Sequence, residues 1–113
     1  MPAMDRKSGL TFRSAGQEDV PLILHFIRAL AEYEKMLDQV VATESLLREW
    51  IFERQKAEVL FALADEKEVG FALFFHNFST FLGRSGLYLE DLFVSPEHRG
   101  KGYGKAILTQ LAQ

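Results

Sequence analysis

The spacing of apolar and polar residues changes several times along this chain, and each change marks an element. Leu10-Thr11-Phe12-Arg13 alternates apolar with polar, the signature of a strand. From Gln17 to about Met36 the apolar residues Val20, Ile23, Ile27, Leu30 and Ala31 recur at helical spacing. Gly16 or Asp19 supplies the cap, and Pro21 is tolerated because it falls in the first turn. Thr43 is placed to cap a second helix whose buried stripe is Leu46, Leu47, Trp50 and Ile51, and the charged run Glu53–Lys56 ends it.

Two strand-like runs follow, Glu58–Ala64 and Val69–Phe78, joined by Asp65-Glu66-Lys67-Glu68 as a hairpin connection. Phe71, Leu73 and Phe75 on one face with Ala72 and Phe74 on the other predict a central strand covered on both sides. Asn77, Ser79, Thr80 and Gly83 make Phe78–Gly86 a loop. Leu87–Val94 is a near-continuous apolar run broken only by Glu90 and Asp91, and Ser95-Pro96 stops it, because proline has no N–H for the ladder. Gly100, Gly102 and Gly104 then alternate with Lys101 and Tyr103, and Ala106, Ile107 and Leu111 open a helix. The order β-α-α-β-β-β-α predicts an α+β fold of three layers, a mostly antiparallel mixed sheet with helices on both faces. Met1–Gly9 is polar and expected to be disordered, leaving residues 10–113 as one domain.

Composition narrows the function classes only slightly. With 113 residues, 48% of them hydrophobic and ten phenylalanines, the chain can bury a core. It has no cysteine, so a disulfide framework, a thiolate metal site and a cysteine nucleophile are excluded, which fits a cytoplasmic protein. His25, His76 and His98 have neither metal-ligand nor triad spacing, and no metal is expected. No apolar run approaches the roughly 20 residues of a membrane span, and the N-terminal residues lack a signal-peptide core, so no membrane partner is expected. A net charge of −3 argues against general nucleic-acid binding and suits a cationic small molecule.

A strand that feeds a glycine-rich loop at a helix N-terminus is an anion site in waiting. Unpaired N–H groups point outward, the helix dipole adds positive charge, and missing Cβ atoms let a phosphate come close. Arg99 and Lys101 add formal charge there. A Walker A loop is excluded, because Gly100 and Gly104 enclose three residues, not four, and Ala106 follows Lys105. The dinucleotide fingerprint is excluded because Lys105 stands where its third glycine belongs.

What remains, Arg-Gly-x-Gly-x-Gly, resembles the pyrophosphate loop of the GNAT superfamily of acetyl-CoA-dependent N-acetyltransferases. Leu30–Met36 (LAEYEKM), Gly86–Val94 (GLYLEDLFV) and Pro96–Gly104 (PEHRGKGYG) are most similar to the diamine acetyltransferases, which act on spermidine, spermine and thialysine. The resemblance spans about residues 10–113 and implies the N-terminal part of a GNAT fold. It implies that the backbone of Leu92, Phe93 and Val94 pairs with the pantetheine arm of acetyl-CoA. It also implies that Arg99, Gly100, Lys101, Gly102, Tyr103, Gly104 and Lys105 hold the pyrophosphate. Glu90 matches the family glutamate that contacts the amine, and Tyr33 and Glu34 match positions that touch a polyamine. A homodimer is implied likewise. Where the family continues into a further strand and a helix bearing its thiolate-protonating tyrosine, this sequence has no counterpart; neither Tyr88 nor Tyr103 replaces it, and the domain is expected to be incomplete at its C-terminus.

The expected reaction is direct transfer of acetyl to a small primary amine, with Glu90 draining the ammonium proton. A protein or peptide amine is the alternative acceptor, and a non-catalytic acyl-CoA-binding module is the alternative class. Several residues carry bland readings beside the functional ones. Glu90 can lie on a solvated face or pair with Arg13, Asp91 on the opposite face is structural, and Glu32, Glu34 and Asp38 form a solvated helix face.

Overall fold

In a computed structural model of the chain, which describes residues 3–5 and 9–112, five strands, three α-helices and several short helical turns follow one another. By compactness the chain divides into two units, Met1–Ser14 with Ala57–Gln113, and Ala15–Lys56. The first is a five-stranded sheet in simple sequential order: β1 (Ala3–Asp5), β2 (Leu10–Ser14), β3 (Glu58–Ala64), β4 (Lys67–Ser79) and β5 (Arg84–Val94). All four pairings are antiparallel, so the sheet of the described residues contains no parallel pair. Ala3–Asp5, expected to be disordered, pairs with Leu10–Phe12 as β1; the rest of the expected disordered segment, apart from Gly9, lies outside the described residues.

The connection between β3 and β4 is tighter than its four charged residues suggest. Ala64 pairs with Lys67, leaving a two-residue turn in which Asp65 and Glu66 have φ of 51° and 64°. That is the primed turn whose twist matches antiparallel strands, here built without glycine. The β4–β5 hairpin is longer than its apolar pattern shows. Its ladder runs to Ser79↔Arg84, so Asn77–Ser79 and Arg84–Gly86 are strand and only Thr80–Gly83 turn. Beyond Phe74 this hairpin has no β3 partner and extends as a two-stranded arm exposing Phe78, Phe81 and Leu82.

Two bulges set which side chains share a face. Between β3 and β4 the register jumps from Ala62↔Gly70 to Leu63↔Glu68, making Val69 the extra residue. Between β4 and β5 it jumps from Leu73↔Asp91 to Phe74↔Leu89, making Glu90 the extra residue. Because strand alternation has period two, one inserted residue brings Leu89 onto the same face as Leu92 and Val94. Those three pack with Leu10, Phe12, Ala62, Val69 and Ala72 under helix α3 (Tyr103–Leu111), whose Ala106 and Ile107 complete the core. The opposite face carries a row of buried rings, Phe61 beside Phe71 beside Phe93, in register across three strands. The central strand is therefore covered on both faces, as its pattern predicts.

The second unit, Ala15–Lys56, is helical. In α1 (Val20–Tyr33), Asp19 precedes the first turn and its carboxylate accepts from the Gly16 N–H at 2.8 Å, while Pro21 sits in the first turn. Thr43 caps α2 (Glu44–Leu47), its hydroxyl accepting from the Leu46 N–H at 3.2 Å. The expected buried stripe does not form: of Leu46, Leu47, Trp50 and Ile51 only Ile51 is buried. Arg48–Glu53 winds as a π-helix, which replaces the i→i−4 bond by i→i−5 and turns Trp50 off the 3.6-residue stripe; Leu46, in the preceding α2, is exposed as well. Trp50 is instead half exposed, with the Arg54 guanidinium 4.8 Å from its ring.

Two stability changes follow from the backbone. Glu66→Gly relieves a left-handed non-glycine residue and is expected to stabilise the chain by about 1 kcal/mol. A Cβ at Gly70 would lie 2.7 Å from the Phe93 carbonyl oxygen, a backbone atom that cannot swing away. Gly70→Ala is therefore expected to cost about 1–3 kcal/mol, and denaturant unfolding of both variants measures the two effects.

Candidate functional site

Strand β5, the turn after it and the start of α3 form one continuous path in the first unit. β5 lies at the sheet edge, and the ladder determines which of its backbone groups face outward. The Ser95 N–H donates to the Val69 carbonyl at 2.8 Å, so Ser95 and Val69 are a hydrogen-bonded pair. Antiparallel alternation then gives Phe93 to β4 and turns the backbone groups of Leu92 and Val94 to the open edge. Phe93, expected at the edge with its neighbours, has its backbone opposite Phe71 and its ring buried.

Pro96–His98 form a single 3-10 turn, after which the chain enters α3. The helix begins at Tyr103, so Tyr103, Gly104 and Lys105 are helical residues and not loop; the loop proper is Arg99–Gly102. Gly102 is the N-cap, in the left-handed region at φ 78°, and the Ala106 N–H returns to its carbonyl at 3.0 Å. The N–H groups of Tyr103, Gly104 and Lys105 thus belong to the first turn, where an α-helix supplies no acceptor. Lys101 and Lys105 are exposed beside them.

The three glycines are there for different reasons. Gly100 and Gly102 have positive φ, which alone favours glycine. Gly104 does not, and a Cβ built on it meets nothing within 4 Å. Neither backbone conformation nor packing inside the chain calls for glycine at 104.

Arg99 is tied to the strand it follows. Its Nε–H donates to the Val94 carbonyl at 2.8 Å, and its guanidinium carbon lies 5.1 Å from the centre of the Phe93 ring. His98 stacks on Tyr103 at 6.4 Å between ring centres. The buried His98 Nδ1 has no hydrogen-bond partner among the described residues, and its nearest carboxylate oxygen, on Glu97, is 3.9 Å away.

Glu90 is the bulge residue of β5 and is exposed. Its carboxylate makes no hydrogen bond or ion pair among the described residues. The alternative pairing with Arg13 does not occur; Arg13 meets Glu68 at 3.1 Å. A bulge is how a sheet re-aims one side chain and breaks one ladder step, and no periodicity in LYLEDLFV announces it. Tyr33 ends α1 and Glu34 is its C-cap, both exposed, in the second unit. Sequence reasoning thus reached every residue of the β5–α3 path but missed the bulge, the outward alternation at Leu92 and Val94, and the Arg99 tether. Among the described residues no cluster of three or more metal-ligating side chains occurs, and no helix is long and apolar enough to cross a membrane.

Known proteins resemble this arrangement. The chain matches the Acetyltransferase (GNAT) family over residues 25–113. It is 40% identical over 110 residues to the thialysine N-epsilon-acetyltransferase of Bos taurus, covering 89% of this chain and 64% of that protein. It is 33% identical over 109 residues to the spermidine/spermine N(1)-acetyltransferase-like protein 1 of Homo sapiens, covering 89% of this chain and 16% of that one. An aminoglycoside acetyltransferase from an uncultured soil metagenomic sample, solved with sisomicin, aligns at a TM-score of 0.78 with 20% identity, over 96% of this chain and 71% of that one. At that identity the agreement is one of fold. The chain spans about two thirds of the length of the bovine relative.

Because the fold leaves Gly104 without a structural duty, Gly104→Ala is expected to stabilise α3 by up to about 1 kcal/mol. Thermal unfolding of the free protein reads this directly.

Proposed function

As the chain belongs to the GNAT acetyltransferase family, we propose that it carries acetyl from acetyl-CoA to the primary amine of a small diamine or polyamine. The observation that carries the reading is Gly104, a helix-opening glycine that neither φ nor packing explains, set among outward N–H groups and lysines. A pyrophosphate fits there: the Tyr103, Gly104 and Lys105 amides would donate to it, the helix dipole and Lys101 would favour its charge, and the bare Cα of Gly104 would let it approach. The outward backbone groups of Leu92 would pair with the amide groups of the pantetheine arm, in the manner of strand addition, while the Val94 carbonyl is occupied by Arg99. The Val94 N–H would then lie near the thioester oxygen as an oxyanion donor.

The acceptor must react as a neutral amine, although alkylammonium groups titrate near pH ~10. Glu90, exposed at its bulge, would bind the ammonium and take its proton through water. Nitrogen attack on the thioester carbon forms the C–N bond, collapse breaks the C–S bond, and the departing thiolate takes a proton from water. Tyr33 and Glu34, which match positions that touch a polyamine in the diamine acetyltransferases, would be amine contacts in the same reading. The names of the bovine and human relatives, thialysine and spermidine/spermine acetyltransferases, support a small cationic acceptor. A homodimer acting in the cytoplasm belongs to the same reading, and the apolar arm at Phe78, Phe81 and Leu82 supports a protein contact.

Calorimetric titration with acetyl-CoA is expected to give saturable binding that Gly102→Asp abolishes; no binding by the folded protein, or binding indifferent to Gly102→Asp, would overturn the reading of the loop. With spermidine or thialysine as acceptor, Glu90→Gln is expected to lower the rate most at low pH, where the amine is most protonated. An unchanged pH–rate profile would remove Glu90 from proton transfer.

A further inference from the structure

The side chain of Arg99 runs backward, not outward. Its residue leaves the 3-10 turn with extended backbone (φ −75°, ψ 159°), yet its Nε–H reaches the Val94 carbonyl five residues earlier at 2.8 Å. The guanidinium lies over the Phe93 ring, with 5.1 Å between its carbon and the ring centre, and the hydrogen bond is partly buried. Val94 is one of the two residues whose backbone faces the open edge of β5. One of the edge acceptors is therefore already taken, by the protein itself. Together with the Ser95 N–H on the Val69 carbonyl at 2.8 Å, this closes the strand end and the turn into one hydrogen-bonded piece.

We infer that Arg99 is a positioning residue, a latch whose Nε–H fixes the spacing between the outward edge of β5 and the first amides of α3. The inference rests on the proposed binding of acetyl-CoA along that path. A ligand that touches both the strand edge and the helix start needs the two held at a set separation before it arrives, because ordering them on binding would cost affinity. Two grips hold the latch: a charge-assisted hydrogen bond, and a guanidinium face on an aromatic ring that cannot move, since Phe93 is buried. The Arg99 charge near the loop is secondary in this reading.

Side-chain chemistry separates the latch from a plain phosphate contact. In glutamine the amide nitrogen occupies the ε position, so Arg99→Gln keeps an N–H donor for Val94 and drops the charge. In lysine a methylene occupies it, so Arg99→Lys keeps the charge and drops the donor. The experiment measures, for wild type and both variants, backbone amide hydrogen exchange of the free protein and dissociation constants for acetyl-CoA and for adenosine 3′-phosphate 5′-diphosphate, a fragment that carries the pyrophosphate and lacks pantetheine. The latch predicts that Arg99→Lys speeds exchange across Ser95–Tyr103 and weakens acetyl-CoA binding about tenfold, the scale of one hydrogen bond, while the fragment binds as before. Arg99→Gln, which keeps an N–H for Val94 but loses the charge and the contact with the Phe93 ring, should fall between wild type and Arg99→Lys in exchange and in acetyl-CoA binding. The opposite pattern, lysine neutral and glutamine weakening acetyl-CoA and fragment alike, would make Arg99 a charge contact and overturn the latch. If wild type binds neither ligand, the acetyl-CoA reading fails by itself. Exchange still decides the latch: faster exchange in Arg99→Lys than in Arg99→Gln sustains it, and unchanged exchange in both variants removes it.

Discussion

The single extra residue in β5 is the constraint on which the first unit depends. α3 needs an apolar platform, and β5 supplies it with Leu89, Leu92 and Val94. In an unbroken strand Leu89 and Leu92 would face opposite ways, and one of them would leave the core. Burying a leucine side chain contributes roughly 1.5–3 kcal/mol, so the chain gains more by inserting a residue than it loses from one disrupted ladder step. The inserted residue is Glu90, and the insertion is what lets a carboxylate stand exposed in an otherwise apolar strand. A core requirement and a chemical one are met by the same bulge.

Downstream, the consequences run along the chain without interruption. The register that the bulge leaves in place turns the backbone of Leu92 and Val94 outward, while Phe93 completes the row of buried rings with Phe71 and Phe61. Pro96 then ends the ladder, and Arg99 folds back to Val94 and Phe93 before the glycines open α3. The helix is anchored from beneath by Ala106 and Ile107, both on the core side. Its first turn is thus fixed relative to the strand edge by apolar packing on one side and by the arginine on the other.

How much of this was legible depended on whether the signal was local. Thr43 as a cap, Ser95-Pro96 as a stop, the two-sided cover of β4 and the glycine loop ahead of α3 all rest on residue chemistry within a few positions, and each formed as read. The bulges at Val69 and Glu90 arise from what the neighbouring strand presents, and no window on one strand contains that. The π-helical winding at Arg48–Glu53 defeated the stripe at Trp50 for a different reason, since the 3.6-residue template assumes the hydrogen bonding that this segment lacks. Turn-forming composition also misled at Asn77–Gly86, where Asn77 and Gly86 pair with each other inside the ladder. The α3 boundary moved to Tyr103 because Gly104, read as loop, is a helical residue in all but its missing Cβ.

Gly104 and Arg99 show two opposite ways in which a fold carries something it does not need for itself. Gly104 gives up helix stability of order 1 kcal/mol relative to alanine, with no contact inside the chain to offset it. A weakness of that kind persists where a partner outside the chain must come close to the backbone. Arg99 does the reverse, spending a long, flexible side chain on its own strand end and giving up part of that side chain's reach toward solvent. The loop is loosened where a ligand would approach and stiffened where the strand edge and the helix must keep their distance. Loosening alone would be equally useful in an ordinary turn; the two together, within six residues of each other on one path, are what a preorganised anion site requires.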